Sequence, residues 1–144
     1  MKLTFKQKFE TRQEITNILG GDIQKGIAIS HEYPVILLFT NDEGLYDDYF
    51  YPKGKYKYCM YTGIGREGNQ DSINNNMYNI NIEVLAHKAN NKKLLLFEKE
   101  NSNYYFIGEY KLIETHQNVQ PDRHDKMRRV FVFHLEQVAD TYEW

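Results

Sequence analysis

Four apolar runs, separated by polar and turn-forming segments, limit the folds open to this chain of 144 residues. The runs are rich in β-branched and aromatic residues, which favour strands. Val35–Thr40 is apolar without interruption, as a buried strand is. A short polar turn separates the third run from the second and predicts a hairpin between them. The four predicted strands are VILLFT at 35–40, KLLLFE at 93–98, YYFIGEYKLIE at 104–114 and RVFVFHL at 129–135.

Two short helices and a single domain complete the predicted organisation. Thr11 and Glu14 have the spacing of a capping box, so residues 1–20 are expected to be an N-terminal helical segment. A second helix is predicted over Asn79–Lys88. Because no repeat and no linker-like segment divides the chain, residues 1–144 are expected to form one domain.

The remaining segments are interpreted as a fifth strand, three loops and a tail. Lys55–Thr62 alternates lysine with aromatic residues before it reaches Tyr61, as a half-buried strand does. The tail is expected to be a last helix or the start of a linker. The loops and the tail are Asn41–Gly54, Gly63–Asn76, Gln117–Arg128 and residues 136–144. Together these elements favour an α+β fold, in which a mostly antiparallel, barrel-like sheet carries two or three short helices at its edge.

Cysteine usage, the N-terminus and the net charge restrict the compartment and the partners. Cys59 is the single cysteine and is expected to be a small buried hydrophobe, so nothing indicates an oxidising compartment. The N-terminal MKLTFKQKFETRQ lacks the apolar run of a signal peptide, and no stretch is long enough to cross a bilayer. We therefore expect a cytoplasmic protein that does not bind membranes. A net charge of −2 argues against non-specific coating of nucleic acid.

No arrangement of nucleophiles, metal ligands or phosphate-binding glycines predicts catalysis. The five histidines lack the spacing of a zinc site, and no GxSxG or phosphate-loop motif is present. Glu109-Tyr110-Lys111 has the Glu-x-Lys form of metal-dependent nucleases, but alternation on an exposed strand explains both charges adequately. We therefore predict no catalytic residue, no metal and no cofactor.

Two tyrosines, an aspartate and a glycine-rich segment have the chemistry of a pocket for a base extruded from a duplex. Such a pocket replaces lost stacking with flat side chains, which Tyr46 and Tyr61 would supply. The Asp48 carboxylate would accept a hydrogen bond from cytosine N4. Gly63 and Gly65 would allow a close backbone approach, because they lack a Cβ atom.

An ordered set of motifs around these residues resembles the SRA domain family (SET- and RING-associated, also called YDG). The resemblance is to the bacterial form attached to HNH-type modification-dependent restriction endonucleases, and it covers the chain from about Gly20 to Leu135. Ile64 and Gly68-Asn69 depart from residues common in relatives, which bears on the conformation of this loop. The matching positions are Gly26-Ile27 with Ser30, Tyr46 to Asp48, Tyr61 to Gly65, Asn81, Leu96-Phe97, Tyr105 to Tyr110 and Arg129 to Leu135.

The resemblance implies a PUA-like SRA β-barrel that binds 5-methylcytosine or 5-hydroxymethylcytosine in double-stranded DNA by base flipping. Either of two adjacent aspartates would be the pocket carboxylate. The implied base-binding pocket consists of Tyr46, Asp47, Asp48, Tyr61, Thr62 and Gly63. Basic residues near this pocket in sequence would contact DNA phosphates, which position a protein without reading the sequence. These residues are Lys53, Lys55, Lys57 and Arg66.

Two other functions fit parts of the sequence. A similar PUA-like barrel would read modified RNA, and Glu109 with Lys111 would form the centre of a small metal-dependent nuclease. Because family members direct an effector, the chain would be the recognition part of a longer endonuclease or a standalone protein with a nuclease partner. Methylated, hydroxymethylated and glucosylated cytosine are all compatible with these residue types.

Overall fold

The computed structural model describes residues 1–41 and 48–144, which contain two helices and ten strands. Helix α1 spans Arg12–Leu19 and helix α2 spans Tyr78–Leu85. The strands are β1 (Lys2–Leu3), β2 (Lys8–Phe9), β3 (Ile27–Ile29), β4 (Val35–Asn41), β5 (Tyr49–Tyr51), β6 (Tyr58–Thr62), β7 (Lys93–Glu100), β8 (Asn103–Pro121), β9 (Met127–Ala139) and β10 (Tyr142–Glu143).

Eight of these strands form one mixed sheet. Seven follow the order β3–β4–β7–β8–β9–β6–β5, and β2 pairs with β8 beside that path. Every pairing is antiparallel except that of β4 with β7. The chain between β4 and β7 is long enough to return in the parallel sense. The mostly antiparallel sheet is confirmed, but the closed barrel is not, because the described strand order ends at β3 on one side and at β5 on the other.

Strands β4 and β7 are apolar along most of their length because both faces of the sheet are buried here. In β4, Leu38 packs in one hydrophobic cluster, while its neighbours Leu37 and Phe39 pack in the other. Helix α1 covers the second cluster through Ile15, and α2 covers the first through Val84. The helices therefore lie over the two faces of the sheet rather than at its edge.

Both helices begin close to the predicted positions. The Glu14 backbone N–H donates to the Thr11 hydroxyl over 3.3 Å, which confirms Thr11 as the N-cap of α1. The Glu14 carboxylate accepts from the backbone N–H of Glu10, one residue before the position that a capping box uses. In the described ranges, no helix has the length and apolarity that crossing a membrane requires.

A long hairpin replaces one of the predicted loops. The loop prediction for Gln117–Arg128 is wrong, because β8 continues to Pro121 and β9 begins at Met127. Backbone pairing continues from Gln117 opposite Phe131 to Pro121 opposite Met127. Side chains in this part of β8 are mostly exposed, so the strand lacks the apolar alternation that reveals strands in a sequence.

Strands in two further segments, where none was predicted, require corrections. The prediction of a helix or linker over residues 136–144 is wrong, because β9 continues to Ala139 and β10 pairs with β1. In the predicted loop Asn41–Gly54, strand β5 pairs with β6. Strands of two or three residues carry too little pattern to be found from sequence. The predicted loop Gly63–Asn76 contains neither helix nor strand, as expected.

Candidate functional site

A cavity of about 320 Å³ lies beside Asp48, where β4, β5, β7 and the turn after β5 meet. Aromatic rings and carboxylates share its walls. The cavity therefore combines flat apolar surfaces with hydrogen-bond acceptors, as binding pockets for small organic groups do. We call it the Asp48 cavity. Its lining residues are Thr40, Asp48, Tyr49, Phe50, Gly54, Lys55, Tyr56 and Glu98.

The Asp48 carboxylate is fixed against strand β6. The Thr62 backbone N–H donates to Asp48 Oδ1 over 2.7 Å, and the Asp48 side chain is half-buried. Because β5 and β6 run antiparallel, the residue before β5 comes level with the end of β6. The structure therefore brings together Asp48 and Thr62, two of the predicted pocket residues. Tyr46 and Asp47 lie outside the described residues.

A second carboxylate, that of Glu98 on β7, lines the same cavity. Lys6 Nζ lies 3.6 Å from Glu98 Oε1 and donates to the Tyr56 hydroxyl over 2.6 Å. Burial raises the pKa of Glu98 above the usual value for glutamate, although the nearby Lys6 ammonium acts in the opposite direction. Sequence reasoning did not single out Glu98, Lys6 or Tyr56.

Tyr61 lies in the hydrophobic core and is 3% exposed. Its hydroxyl is 2.9 Å from the carbonyl oxygens of Gly26 and Phe39, which accept its hydrogen. These contacts connect β6 to the chain at β3 and β4. Stacking on a base needs an open ring face. The predicted stacking role of Tyr61 therefore stays a prediction, and it requires the ring to be uncovered when DNA binds.

Two buried amide side chains hold the segment that follows β6. The Ile64 N–H donates to Asn81 Oδ1, and Asn81 Nδ2 donates to the Ile64 carbonyl, each over 2.8 Å. Gln70 Nε2 donates to the Gly63 carbonyl over 2.7 Å, and Gln70 Oε1 accepts from the Phe131 N–H over 2.9 Å. The loop after β6 is therefore fixed both to helix α2 and to strand β9.

Gly63 permits this close approach. A Cβ atom at Gly63 would lie 2.7 Å from Gln70 Oε1 and 2.8 Å from Asn81 Oδ1, distances that real Cβ contacts do not reach. Gly63 is itself buried. The close approach of a base to the Gly63 backbone stays a prediction, and in the structure the neighbours of Gly63 are the two amides.

The comparison with protein families covers nearly the whole chain. Residues 6–144 match the family described as ScoMcrA-like, SRA domain. The chain belongs to this SRA family. The resemblance stated from the motifs is thereby confirmed. No curated protein matches the chain.

Solved structures of SRA proteins share the fold. A structure of the sulfur binding domain and SRA domain of ScoMcrA complexed with phosphorothioated DNA has a TM-score of 0.72 at 21% identity, covering 93% of this chain and 39% of that chain. The type IV phosphorothioation-dependent restriction endonuclease ScoMcrA has a TM-score of 0.71 at 20% identity, with 93% of this chain and 28% of that chain covered. The SUVH5 SRA complex with hemi-methylated CG DNA has a TM-score of 0.69 at 18% identity, covering 99% and 93%. This chain thus spans well under half the length of the ScoMcrA chains.

The four basic residues predicted to contact DNA are exposed in this SRA domain. Lys53, Lys55 and Lys57 surround the turn between β5 and β6, and Lys55 also lines the Asp48 cavity. Arg66 lies in the loop after β6, where its carbonyl accepts from the Arg123 N–H over 3.1 Å. None of the four forms an ion pair with another described residue.

Lys92 and Lys93 form a second basic group in the SRA domain, which differs from the first because both lysines have ion-pair partners. Lys92 Nζ lies 3.4 Å from Glu83 Oε2, and Lys93 Nζ lies 3.5 Å from Glu109 Oε2. These cations are largely neutralised by their partners. Charge available to an incoming phosphate is therefore greater beside the Asp48 cavity than at this second group.

The nuclease alternative has no geometric support among the described residues. Glu109 pairs with Lys93, and Lys111 Nζ lies 3.5 Å from Glu136 Oε1, so both charges have partners on neighbouring strands. In residues 1–41 and 48–144, no group of three or more His, Cys, Asp or Glu side chains is placed to hold a metal. Cys59 is fully buried, as predicted, and burial raises its pKa well above the usual value.

Two features were not identified from the sequence. One is the wall of the Asp48 cavity that Glu98 forms on β7. The other is the pair of buried amide side chains of Gln70 and Asn81, which we call the amide clamp. A signal for Glu98 exists, because it is the first charged residue after the apolar run of a predicted buried strand. Gln70 sits in the predicted loop Gly63–Asn76, but nothing in its neighbours in the sequence marks it as buried. Asn81 appeared among the matching motif positions without a role, and the structure supplies one.

Proposed function

We propose that this SRA domain recognises a modified cytosine in double-stranded DNA by flipping the base into the Asp48 cavity. The observation that carries the proposal is the Asp48 carboxylate, held by Thr62 at the wall of a cavity in a member of the SRA family. A carboxylate accepts from cytosine N4, whereas thymine offers a carbonyl at that position. The DNA complexes of ScoMcrA and SUVH5 support a DNA partner.

Aromatic side chains in the cavity would compensate for the lost stacking. Tyr49, Phe50 and Tyr56 line it in the structure, and Tyr46 and Tyr61 remain the stacking residues predicted from sequence. Each base–aromatic stack contributes about 1–3 kcal/mol. Extruding a base costs a few kcal/mol, so two such contacts and the Asp48 hydrogen bond offset that cost.

Exposed cations next to the cavity would hold the DNA backbone. Lys53, Lys55, Lys57 and Arg66 lack ion-pair partners among the described residues, so phosphate contacts would not have to break existing pairs. Such contacts give affinity and register but no sequence information. Base preference in this proposal therefore comes from the cavity alone.

A nuclease would act as a separate unit. In the described ranges no group of three or more His, Cys, Asp or Glu side chains is placed to hold a metal, and the chain covers only 28% of the ScoMcrA endonuclease. We propose that the SRA domain directs a nuclease domain or partner to modified DNA, as a recognition element without catalysis of its own.

Binding of matched duplexes tests the proposal. One duplex carrying cytosine, 5-methylcytosine or 5-hydroxymethylcytosine at a single position is titrated by fluorescence anisotropy at fixed salt, with a matched RNA duplex as competitor. We expect preference for modified DNA. Asp48→Ala is expected to weaken the base-flipped complex about 10- to 100-fold, the effect of losing a hydrogen bond to a charged group, and the preference should fall with it because the 5-substituent is contacted only in that complex.

Two variants control this experiment. Asp48→Asn keeps the size of the side chain and an acceptor for the Thr62 N–H but removes the charge, and it should also lose discrimination. Asp140→Ala removes an exposed carboxylate that does not line the cavity, and it should bind as the wild type does. Equal binding of all DNA duplexes, or unchanged discrimination in a folded Asp48→Ala variant, would contradict the proposal, and tighter binding of RNA would favour the RNA-reading alternative.

A further inference from the structure

The Asp48 cavity contains two carboxylates that come from separate parts of the fold. Asp48 precedes β5, whereas Glu98 lies on β7 directly opposite Thr40 of β4 in the parallel ladder. An ionised carboxylate only accepts hydrogen bonds. The amine of a flipped cytosine donates to one of the two carboxylates. A base that is recognised through Asp48 alone would therefore offer no hydrogen-bond donor to Glu98.

Glu98 is held in place and partly removed from water. Its side chain is 26% exposed, and Lys6 Nζ approaches one of its oxygens at 3.6 Å. Lys6 is in turn fixed by its hydrogen bond to the Tyr56 hydroxyl. Burial raises the pKa of Glu98, which reflects the cost of keeping its charge with little hydration. A further hydrogen-bond donor inside the cavity would lower that cost.

The volume of the cavity allows for a substituent on the base. Pockets of about 300–1,000 Å³ take drug-sized molecules, and a pyrimidine is smaller than these. A volume of about 320 Å³ therefore exceeds the need of an unmodified cytosine. The amine on C4 and a substituent on C5 project from adjacent ring atoms, so a base whose amine meets Asp48 directs its 5-substituent into the same cavity.

We propose that Glu98 is a specificity-determining residue that accepts a hydrogen bond from a hydroxyl group carried at the 5-position of the flipped cytosine. This inference rests on the proposed function and names its ligand class. The hydroxyl is that of a hydroxymethyl group or of a hexose attached to it. A methyl group offers Glu98 no donor, and a 5-carboxyl group would bring a third negative charge beside Asp48 and Glu98.

Five duplexes that differ in one base provide the test. They carry cytosine, 5-methylcytosine, 5-hydroxymethylcytosine, glucosylated 5-hydroxymethylcytosine or 5-carboxylcytosine, and dissociation constants are measured by fluorescence anisotropy at fixed salt. We expect at least one hydroxyl-bearing base to bind about tenfold more tightly than 5-methylcytosine, the usual effect of one hydrogen bond to a charged group. The carboxylated base is expected to bind no better than cytosine. The two hydroxyl-bearing duplexes identify which hydroxyl is read.

Variants of Glu98 test whether its carboxylate recognises the hydroxyl group of the base or only supports the fold. Glu98→Ala should bring the hydroxyl-to-methyl affinity ratio to about one, while the preference for 5-methylcytosine over cytosine persists. Glu98→Gln retains a neutral acceptor, so its ratio should fall less, because neutral hydrogen bonds are roughly half as strong as charged ones. Glu100→Ala removes an exposed carboxylate from the end of the same strand and should leave the ratio unchanged. Urea unfolding establishes that each variant is folded.

The outcomes distinguish the inference from the proposed function. If 5-methylcytosine binds as tightly as both hydroxyl-bearing bases and more tightly than cytosine, the role of Glu98 is wrong and the modified-cytosine reader stands. A ratio that survives in folded Glu98→Ala and Glu98→Gln also overturns the inference. If all five duplexes bind equally, both the inference and the proposed function fail.

Discussion

Asn81 shows how one side chain can fix a loop. It lies in helix α2, is fully buried, and satisfies both the N–H and the carbonyl of Ile64. An amide is suited to this position because it carries an NH2 donor group and an acceptor oxygen on the same planar group. The neighbouring Gln70 does the same for Gly63 and Phe131. Two residues thereby hold the loop that continues from the Asp48-binding end of β6.

Replacing Asn81 should destabilise the protein. Asn81→Ala leaves the N–H and carbonyl of Ile64 without their partner, and each unsatisfied buried group costs about 1–3 kcal/mol. We expect the free energy of unfolding, measured by urea titration, to fall by about 2–6 kcal/mol. Asn79→Ala changes an exposed asparagine of the same helix and should alter it by less than about 0.5 kcal/mol. A similar loss in both variants would contradict the role of the amide, because alanine has a higher helix propensity than asparagine and propensity alone would not destabilise either variant.

At the scale of elements, the β5–β6 hairpin combines the cavity with a cationic turn. The turn closes with a hydrogen bond from the Lys55 N–H to the Pro52 carbonyl over 2.9 Å. The strand before it starts next to Asp48, and the strand after it carries Thr62. A duplex whose flipped base enters the cavity would therefore have its backbone close to the exposed lysines of the turn.

Removing these lysines should change the salt dependence of DNA binding. Each phosphate contact contributes about 0.9 to the slope of log K against log salt concentration. A variant with Lys53, Lys55 and Lys57 all replaced by Gln should therefore bind with a slope smaller by about 2.7, and the double variant of Lys53 and Lys57, which do not line the cavity, should keep the preference among modified bases. Anisotropy titrations over a series of salt concentrations measure both quantities.

A second triple variant controls for net charge. Lys92, Lys93 and Lys111 are each ion-paired, and their replacement by Gln removes the same total charge. We expect this variant to keep a slope near that of the wild type. An equal reduction in both triple variants would mean that overall charge, and not the turn, governs the electrostatic contribution.

At the scale of the whole molecule, His87 connects the end of the α2 region to β8. It is 4% exposed, its Nδ1 lies 2.9 Å from the Lys92 carbonyl, and its Nε2 lies 3.1 Å from the Leu112 nitrogen. Because the Leu112 N–H donates to Nε2, this network assigns the ring hydrogen to Nδ1 and a neutral imidazole. Burial lowers the pKa of His87 below its usual 6.5, and the charges of Lys88 and Lys93 lower it further.

Stability should therefore fall as the pH drops below about 6.5. In that range the unfolded chain binds a proton at His87 that the folded protein excludes, so protonation favours unfolding. The loss reaches at most about 1.4 kcal/mol per pH unit between 6.5 and the lower pKa of the folded state. Urea unfolding between pH 7.5 and 5.5 measures it. His87→Gln should remove this component, whereas His31→Gln, at an exposed position, should keep it. An unchanged pH dependence in His87→Gln would contradict the assignment.

Much of the sheet could be predicted from the sequence, because strands that are buried on both faces consist mostly of apolar residues. Strands β4 and β7 are buried on both faces and are correspondingly apolar, and the hairpin of β7 with β8 follows from a short polar turn. Helix α1 follows from the N-cap Thr11. Of the candidate site, the sequence and its family resemblance brought out Asp48 and Thr62 together with the exposed lysines. Polar stretches such as Gln117–Pro121 escaped prediction, because a strand that extends beyond the core has no apolar pattern.

The composition of the cavity could be known only from the tertiary structure. The sequence determined that the chain forms a mostly antiparallel sheet of the SRA family, and it predicted Asp48 as a residue of its site. The parallel pairing of β4 with β7 then set Thr40 opposite Glu98, and the antiparallel pairing of β5 with β6 brought Asp48 to Thr62. Strand register is fixed by long-range backbone hydrogen bonds, which leave no trace in the local residue pattern. For that reason the second carboxylate of the cavity emerged only from the folded arrangement.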